Sequence, residues 1–370
     1  MWREPRPFSF RVLKNSGRII FAVARLGRLL YGFDMKKVCF LIGLVILFAA
    51  GVYFFLAQKL DYSKIVFVLP SSNRASSPYY YKKDGDFFLA DDLKQGLQKL
   101  GYEVTYRFRE DYDNLDLSDA GNVIYFKGYY NFKHLPAVHD DGRKRVLYLY
   151  YVEGLEPRIL KEVDAVASAS QKLIDELLNP QGIKSFYIPQ FTNPERFKPA
   201  NREAKTTEVL FVGSNHTRRG RLSVDYALDA GANLSVYGKF WDKYLTPQYL
   251  KGSYIDNDEL YQYYSGAKIV LNDHREDMRY FGFVSNRIYD VSASDGFVLT
   301  DYLPEIEQVY GNSIATYKNE QEFKEKLEYY LTHDDERQNM AQKAREITLK
   351  YFTNDVAAKN FNAVFKNIQK

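Results

Sequence analysis

Cysteine and histidine are scarce in this chain of 370 residues, which contains one cysteine and five histidines. The single cysteine, Cys39, lies within an apolar run, so the rest of the sequence can form no disulfide bond. No two histidines are four residues apart, as in a helical zinc motif, and no Asp-X-Asp at a predicted strand end has a basic partner. We therefore expect neither a bound metal nor a cofactor.

A surplus of positive charge is also lacking beyond the first 37 residues. Residues 1–37 contain nine Lys and Arg against two acidic residues, a net charge of +7, so the rest of the chain carries −3 of the total of +4. A basic surplus is typical of proteins that bind nucleic acid, but here it belongs to the leader alone. We therefore do not expect a nucleic-acid partner.

The longest uncharged run, residues 38–57, has the length and composition of a transmembrane helix. At a rise of about 1.5 Å per residue it spans the ~30 Å hydrocarbon core of a bilayer. It is too long for a signal peptide, and no small-X-small cleavage site follows it. Residues 1–37 interleave basic and apolar residues, which favours an amphipathic helix on an anionic membrane surface; a disordered basic tail is the alternative. Membrane lipids are therefore expected partners.

Strand and helix signals alternate in two series through the rest of the chain. Short β-branched runs alternate with amphipathic segments such as Asp91–Leu100 and Leu222–Asp229, the pattern of α/β units that return to a parallel sheet. The fold class is therefore α/β, with two Rossmann-like lobes and a ligand cleft at the carboxyl ends of their strands. The predicted boundaries are 63–190 for the first lobe, 191–206 for a proline-containing connector, 207–350 for the second lobe and 351–370 for a final helix.

Three segments resemble the group 1 glycosyltransferases of GT-B fold. Pro189–Pro199 resembles their "P-N-G-V-D-x-x-R-F-x-P" boundary between the lobes, and Phe211–Arg221 resembles their phosphate-facing loop. Gly282–Glu307 resembles the "R-x-[FY]-[ED]-x-x-A-x-G-x-F-x-L-T-D" core of the spore-maturation-type branch. The motifs cover the second lobe, and the first lobe is similar in architecture only. The resemblance implies a nucleotide-sugar in the second lobe and an acceptor in the first.

Cations and backbone N–H groups are needed where the diphosphate leaving group gains charge. The glycine-containing loop after residue 212 and the helix start that follows it could supply both, together with Arg218, Arg219 and Arg221. A solvated face is the alternative for these arginines. The residues predicted to bind the donor are Gly213, Ser214, Asn215, Arg218, Arg219, Lys239, Tyr254, Ile255, His274, Asn286, Arg287 and Asp290.

The individual roles in this set differ. The resemblance implies that the Asp290 carboxylate holds the ribose hydroxyls, with a helix cap or ion pair as the alternative. It also implies that the base lies against the backbone at Tyr254 and Ile255. Arg287 has apolar neighbours, so we expect it to meet phosphate or a structural carboxylate. His274 follows a predicted strand and could contact the phosphate or sugar.

A proton acceptor for the acceptor hydroxyl is expected from the first lobe if the transfer inverts configuration. Glu153 follows a predicted strand, and His134 and His139 lie on the preceding loop. The wider group usually has a Glu eight residues before the ribose-binding carboxylate, where this chain has Gly282. This departure leaves the stereochemical outcome open.

Taken together, these features predict a membrane-anchored enzyme that moves a sugar from a nucleotide-diphosphate sugar to a surface glycan or glycolipid. Two alternatives stay open. One is a catalytically inactive scaffold that binds a nucleotide-sugar or glycan, which Gly282 favours. The other is a sugar-nucleotide epimerase of the same fold, which would need no membrane tether.

The side of the membrane on which the enzyme lies has two interpretations. The positive-inside rule places the basic leader in the cytoplasm, which sends the lobes of a single-pass protein across the membrane. That location suits a nucleotide-sugar enzyme in a Golgi lumen. If the leader and the apolar run form a re-entrant hairpin, the lobes stay in the cytoplasm, and we favour the cytoplasmic face of a bacterial inner membrane.

Overall fold

The computed structural model describes residues 60–128, 135–137, 140–200 and 204–368. The predicted leader (1–37) and transmembrane helix (38–57) lie outside these residues. Within the described ranges, no helix is both long and apolar enough to cross a bilayer. The described chain forms two six-stranded parallel sheets with helices, so the predicted α/β fold with two Rossmann-like lobes is confirmed.

The first sheet is formed by the strands up to residue 187, in the order β2-β1-β3-β4-β5-β6. Its central strands are buried along nearly their whole length, which suits the apolar and aromatic runs 123–126 of β3 and 146–149 of β4. The strands are Asp61–Val68 (β1), Glu103–Arg107 (β2), Ala120–Lys127 (β3), Lys144–Leu149 (β4), Ala165–Ser168 (β5) and Ser185–Tyr187 (β6).

Two helical segments accompany this sheet. The first, α1, spans Gly85–Lys99 and begins with Asp84 as its N-cap, so it starts six residues earlier than the sequence pattern predicts. Its first turn contains Phe87 and Phe88, and two adjacent aromatic residues do not follow the apolar spacing that indicates a helix in the sequence. The second, α2, covers Gln171–Leu173 and continues as a π-helical turn over Ile174–Leu178.

The second sheet has the order β12-β11-β10-β7-β8-β9. The order of its strands reverses between β7 and β10, and ligands of open parallel sheets bind outside the strand ends at such a point. The strands are Thr207–Val212 (β7), Leu234–Tyr237 (β8), Leu250–Gly252 (β9), Ala267–Asn272 (β10), Val298–Asp301 (β11) and Ala315–Tyr317 (β12).

The remaining helices follow in the second half of the chain. They are Leu222–Asp229 (α3), Leu260–Gly266 (α4), Glu276–Phe281 (α5), Asn286–Ala293 (α6), Pro304–Tyr310 (α7), Glu320–Thr332 (α8), Asp334–Tyr351 (α9) and Asn354–Asn367 (α10). The last of these packs on the first sheet's side of the molecule, where Phe361 and Phe365 are buried in the first lobe's core. The chain therefore passes between the lobes twice, at the connector and before α10.

Candidate active site

A cavity of about 610 Å³, which we call the first cavity, opens between the carboxyl ends of the two sheets. The first lobe contributes the segment from Pro78 to Asp86 and the end of β4, including Tyr150. The second lobe contributes the loop after β7, the segment after β8 and the start of α6. The cavity therefore lies where the strand order of the second sheet reverses.

Arg287 lies on the floor of this cavity and is partly buried. Its guanidinium donates to Asn272 Oδ1 at 2.6 Å and to the carbonyl oxygen of Val212, at the ends of β10 and β7. Among the described residues, no carboxylate lies within 4 Å of it. Burial lowers the pKa of Arg287 from its usual value, because the charge has lost its hydration. A partly buried cation with only neutral partners creates a strong local preference for an anion.

The close packing of neighbouring atoms around Gly213 leaves little room for a side chain at this position. A Cβ at this position would lie 2.7 Å from Arg287 Nη2, and a Cβ at Gly238 would lie 2.1 Å from the Gly213 carbonyl oxygen. The Gly213 amide donates to Tyr237 O, and the amide of Asn215 donates to Lys239 O. These two amides therefore hold the ends of β7 and β8 together, contrary to their expected role as phosphate donors. Between them, Ser214 lines the cavity, and its Oγ accepts from the Lys239 amide at 3.2 Å.

The start of α3 also differs from the expectation of an anion site. The Asp273 carboxylate already accepts from the Ser223 amide at 3.0 Å and pairs with Arg221. The helix N-terminus is thus occupied by a residue of the protein. Arg218 and Arg219 are exposed, and neither lines the cavity; the guanidinium of Arg218 lies 5.6 Å from the Phe240 ring centre.

Two of the predicted donor residues reach across the cavity to the first lobe. Lys239 Nζ donates to Pro78 O at 3.2 Å, and the Tyr254 hydroxyl donates to Lys82 O at 3.1 Å. Both side chains line the cavity, as does Ile255. The structure therefore brings these three together with Arg287.

Asp290 lies on α6 in the wall of the cavity and is 8% exposed. Its Oδ2 accepts from Asn286 Nδ2 at 2.8 Å, whereas its Oδ1 is buried with no hydrogen-bond partner among the described residues. Burial raises the pKa of Asp290 to about 8. A hydroxyl donor entering the cavity could satisfy this carboxylate.

His274 is held by the protein on both sides of its ring. Its Nδ1 lies 2.7 Å from Asp301 Oδ1, and its Nε2 accepts from the Ser285 amide at 3.0 Å. The proton therefore lies on Nδ1, and the ring joins the end of β11 to the start of α6. With both nitrogens engaged, His274 positions α6 and does not have the free nitrogen that a contact with the donor would require.

Of the predicted proton acceptors, Glu153 lies outside the lining of the first cavity and lines a neighbouring cavity instead. The Glu153 carboxylate accepts from the Tyr151 hydroxyl at 2.6 Å and forms an ion pair with Arg275, so accepting a proton would break this pair. His134 and His139 lie outside the described residues and stay predictions.

Gly282 ends α5 in the left-handed conformation, at φ +70°. A Cβ there would lie 2.1 Å from Glu305 Oε1. The space that a longer side chain would enter is therefore filled by Glu305. The positive φ is the stronger reason for glycine at this position, because a Glu would adopt this backbone conformation only with strain, whereas the end of the Glu305 side chain could move aside.

Several ionisable residues of the cavity were missed from the sequence, among them Asp86, Tyr150 and His216. Asp86, in the first turn of α1, and Tyr150 line its first-lobe wall. Burial, and then the nearby Asp86, raises the pKa of the Tyr150 phenol well above its usual value. His216 is exposed at the cavity mouth, where partial loss of hydration, followed by the nearby cations Arg275, Lys239 and Arg221, lowers its pKa and favours the neutral imidazole. The sequence signal that could have identified Asp86 is Asp84, the N-cap residue at which α1 begins earlier than predicted.

A second cavity of about 890 Å³ adjoins the first. The two share Tyr151, Ser214 and His216 in their linings. The second is otherwise lined by the loop before α3, the segment after β10 and α5. Two neighbouring cavities at one interlobe cleft can hold two substrates side by side.

Two parallel α/β lobes with a ligand cleft between their strand ends form the GT-B architecture, which is typical of one class of glycosyltransferases. The solved structures of this architecture include AviGT4, a glycosyltransferase involved in avilamycin A biosynthesis, with a TM-score of 0.58, 14% identity, and coverage of 82% of this chain and 97% of AviGT4. Anabaena HepE, solved with UDP and glucose, has a TM-score of 0.55, 11% identity, and coverage of 82% and 99%.

Sequence relatives identify the family. The model of a family described as glycosyl transferase-like matches residues 218–363. The spore protein CgeB of Bacillus subtilis strain 168 is 30% identical over 228 residues, which cover 56% of this chain and 69% of CgeB. The chain belongs to this glycosyl transferase-like family, together with CgeB, and the predicted glycosyltransferase class is confirmed.

Proposed function

We propose that the protein transfers a sugar from a UDP-sugar, held in the first cavity, to a hydroxyl of a surface glycan or glycolipid. The observation that carries this proposal is the partly buried Arg287 guanidinium, which has no carboxylate within 4 Å among the described residues. We choose UDP as the nucleotide of this proposal because the similarly folded Anabaena HepE was solved with UDP and glucose, which supports a uridine nucleotide as the first to test.

The charges of the first cavity suit the leaving group. Transfer breaks the bond between the anomeric carbon and the β-phosphate oxygen, so negative charge grows on the diphosphate. Arg287 and Lys239 place two cations in the cavity for this charge. The acceptor hydroxyl oxygen forms the new bond to the anomeric carbon and its proton passes to water, and UDP leaves with the electron pair of the broken bond.

The adjoining ribose would lie at Asp290. Its buried Oδ1 accepts no hydrogen bond in the described structure, and each ribose hydroxyl can donate one. The base would then lie toward Tyr254 and Ile255, on the same wall. Membrane attachment through residues 38–57 would hold the enzyme near a membrane acceptor, which raises the acceptor's effective concentration.

The test is UDP binding to the full-length protein and to matched arginine variants, by isothermal titration calorimetry. Arg287→Met should weaken binding about tenfold to a hundredfold, because a hydrogen bond to a charged group contributes roughly 1.5–3 kcal/mol. Arg219→Ala, which removes an exposed arginine of the same lobe, should leave the affinity unchanged. Equal affinities for wild type and Arg287→Met, with both proteins folded by thermal melting, would contradict the proposal.

A scaffold without catalytic activity is a second candidate, because Glu305 fills the space beside Gly282 and Glu153 is held by Arg275. Release of UDP from UDP-glucose and other UDP-sugars distinguishes the two. A transferase releases UDP at a rate that rises when an acceptor glycan is added. A scaffold binds UDP with no such release.

A further inference from the structure

The arginines of the second cavity are all paired with carboxylates. Arg221 pairs with Asp273, and Arg275 pairs with Glu153. The guanidinium of Arg279 lies 3.7 Å from a carboxylate oxygen of Asp301. An anion entering this cavity would therefore have to compete with a carboxylate already in place at each arginine.

The first cavity has the opposite arrangement. Lys239 donates to a carbonyl oxygen, and Arg287 donates to an amide oxygen and a carbonyl oxygen. Neither has a carboxylate within 4 Å among the described residues. Asp84, Asp86 and Asp290 also line the first cavity, but none of these carboxyl groups lies within 4 Å of Lys239 or Arg287. The two cavities therefore differ in whether their cations are directly paired, and this difference favours an anionic ligand in the first cavity and an uncharged one in the second.

From this contrast we infer that the second cavity is the acceptor subsite and that it binds an uncharged saccharide. The inference rests on the proposed function, which places the donor in the first cavity. Paired guanidinium and carboxylate groups can still donate to and accept from hydroxyl groups without losing their ion pair, because each has more hydrogen-bonding positions than its partner uses. A hydroxyl-rich, neutral ligand therefore fits where a phosphate or uronate does not.

Aromatic side chains provide the apolar part of such a site. Tyr151, Tyr280 and Phe281 line the cavity, and Tyr280 is 62% exposed. An aromatic ring of this exposure on a cavity wall offers apolar surface to the C–H groups of a sugar, while its hydroxyl can bond to the sugar's oxygens. The volume of about 890 Å³ lies within the usual range for small-ligand sites.

The location also fits an acceptor. Tyr151, Ser214 and His216 line both cavities, so a saccharide in the second faces a donor in the first across these residues. The neutral imidazole of His216 lies at this junction. A hydroxyl of the saccharide could thus approach the anomeric carbon without leaving the cavity.

A printed array of neutral and acidic glycans, probed with the labelled full-length protein and saturating UDP, tests the inference. Binding should be confined to neutral glycans, with sialylated, uronate or phosphorylated versions about tenfold weaker or more. Tyr280→Ala should lower glycan binding about tenfold and leave UDP affinity unchanged. Tyr329→Ala, at an exposed tyrosine that lines neither cavity, is the matched control and should change neither.

A change of selectivity gives the sharper test. Glu276 lines the second cavity and is exposed, so Glu276→Lys adds a cation that has no built-in partner. We expect this variant to gain binding to acidic glycans. Preference of the wild type for acidic glycans, or no glycan bound while UDP binds normally, would overturn the inference and leave the proposed donor site intact. Loss of UDP binding itself would instead overturn the proposed function.

Discussion

At the scale of single residues, Asp290 places a titratable carboxyl group in a buried position in the wall of the first cavity. Burial raises its pKa from 3.8 to about 8, so between these values the folded protein holds a proton that the unfolded chain has released. Because Asp290 takes up a proton on folding in this pH range, its contribution to the free energy of unfolding is most favourable below pH 4. That contribution is lost as the pH rises toward 8. The carboxylate is therefore costly to the fold at neutral pH, which favours a functional reason for its presence.

The Asp290→Asn variant should remove this pH dependence. Wild type should lose stability relative to the variant by roughly 1.4 kcal/mol per pH unit within the window from about 4 to 8. Urea unfolding at pH 5, 6, 7 and 8 measures the difference. Asp92, whose pKa burial raises to about 6, titrates in both proteins, and its negative charge is one cause of the raised pKa of Asp290, so the difference between the two proteins should be steepest above pH 6. Parallel stability curves for the two proteins would show that Asp290 is ionised throughout.

At the scale of elements, the packing of α10 on α1 joins the end of the chain to the first lobe. A Cβ at Gly96 of α1 would lie 2.5 Å from the carbonyl oxygen of Asn354, at the start of α10. Backbone atoms cannot move aside as a flexible side chain can. The close contact of these two helices therefore depends on glycine at position 96.

Two alanine variants of α1 isolate this contact. Gly96→Ala should destabilise the protein by about 1–3 kcal/mol, because α10 must shift. Gly85→Ala, in the same helix but with no atom within 4 Å of the added Cβ, should be neutral or stabilise by up to ~1 kcal/mol. Urea unfolding provides both values. Equal free energies of unfolding for wild type and Gly96→Ala would show that α10 shifts without loss of stability.

At the scale of the whole molecule, Arg196 of the connector binds both lobes. Its Nη1 donates to Asp92 Oδ1 of α1 at 2.5 Å, and its Nε donates to Asp258 Oδ1 of the second lobe at 3.1 Å. Asp92 and Arg196 are nearly buried, whereas the Asp258 side chain is 77% exposed. The buried half of this arrangement therefore contributes most to the connection between the lobes.

Replacing Arg196 should lower the free energy of unfolding far more than replacing its exposed partner Asp258. Arg196→Met should destabilise the protein by about 3–5 kcal/mol at pH 7, since Asp92 is left buried without its cation. Asp258→Asn should cost less than about 1 kcal/mol. The penalty of Arg196→Met should shrink at pH 5, where Asp92 can be protonated. A penalty that is the same at both pH values would argue against an unpaired Asp92 as its cause.

The positions of strands and helices followed closely from the sequence. The predicted helix Leu222–Asp229 has these bounds in the structure, because its periodicity and end signals are local. Asp290 and Arg287 were identified through a motif of adjacent residues, and both line the first cavity. By contrast, α1 begins earlier than predicted, because aromatic residues on successive positions mask its periodicity.

The sequence by itself determined the order of the α/β units, the family resemblance and the residues that carry charge near the strand ends. Only the tertiary structure decided which of those charges are already paired. Arg221 meets Asp273, Glu153 meets Arg275 and His274 meets Asp301 across separations of 27 residues or more, whereas Arg287 meets no carboxylate among the described residues. Periodicity reports only neighbours within a few turns, and such distant pairings arise when the sheets bring separate strand ends to one edge.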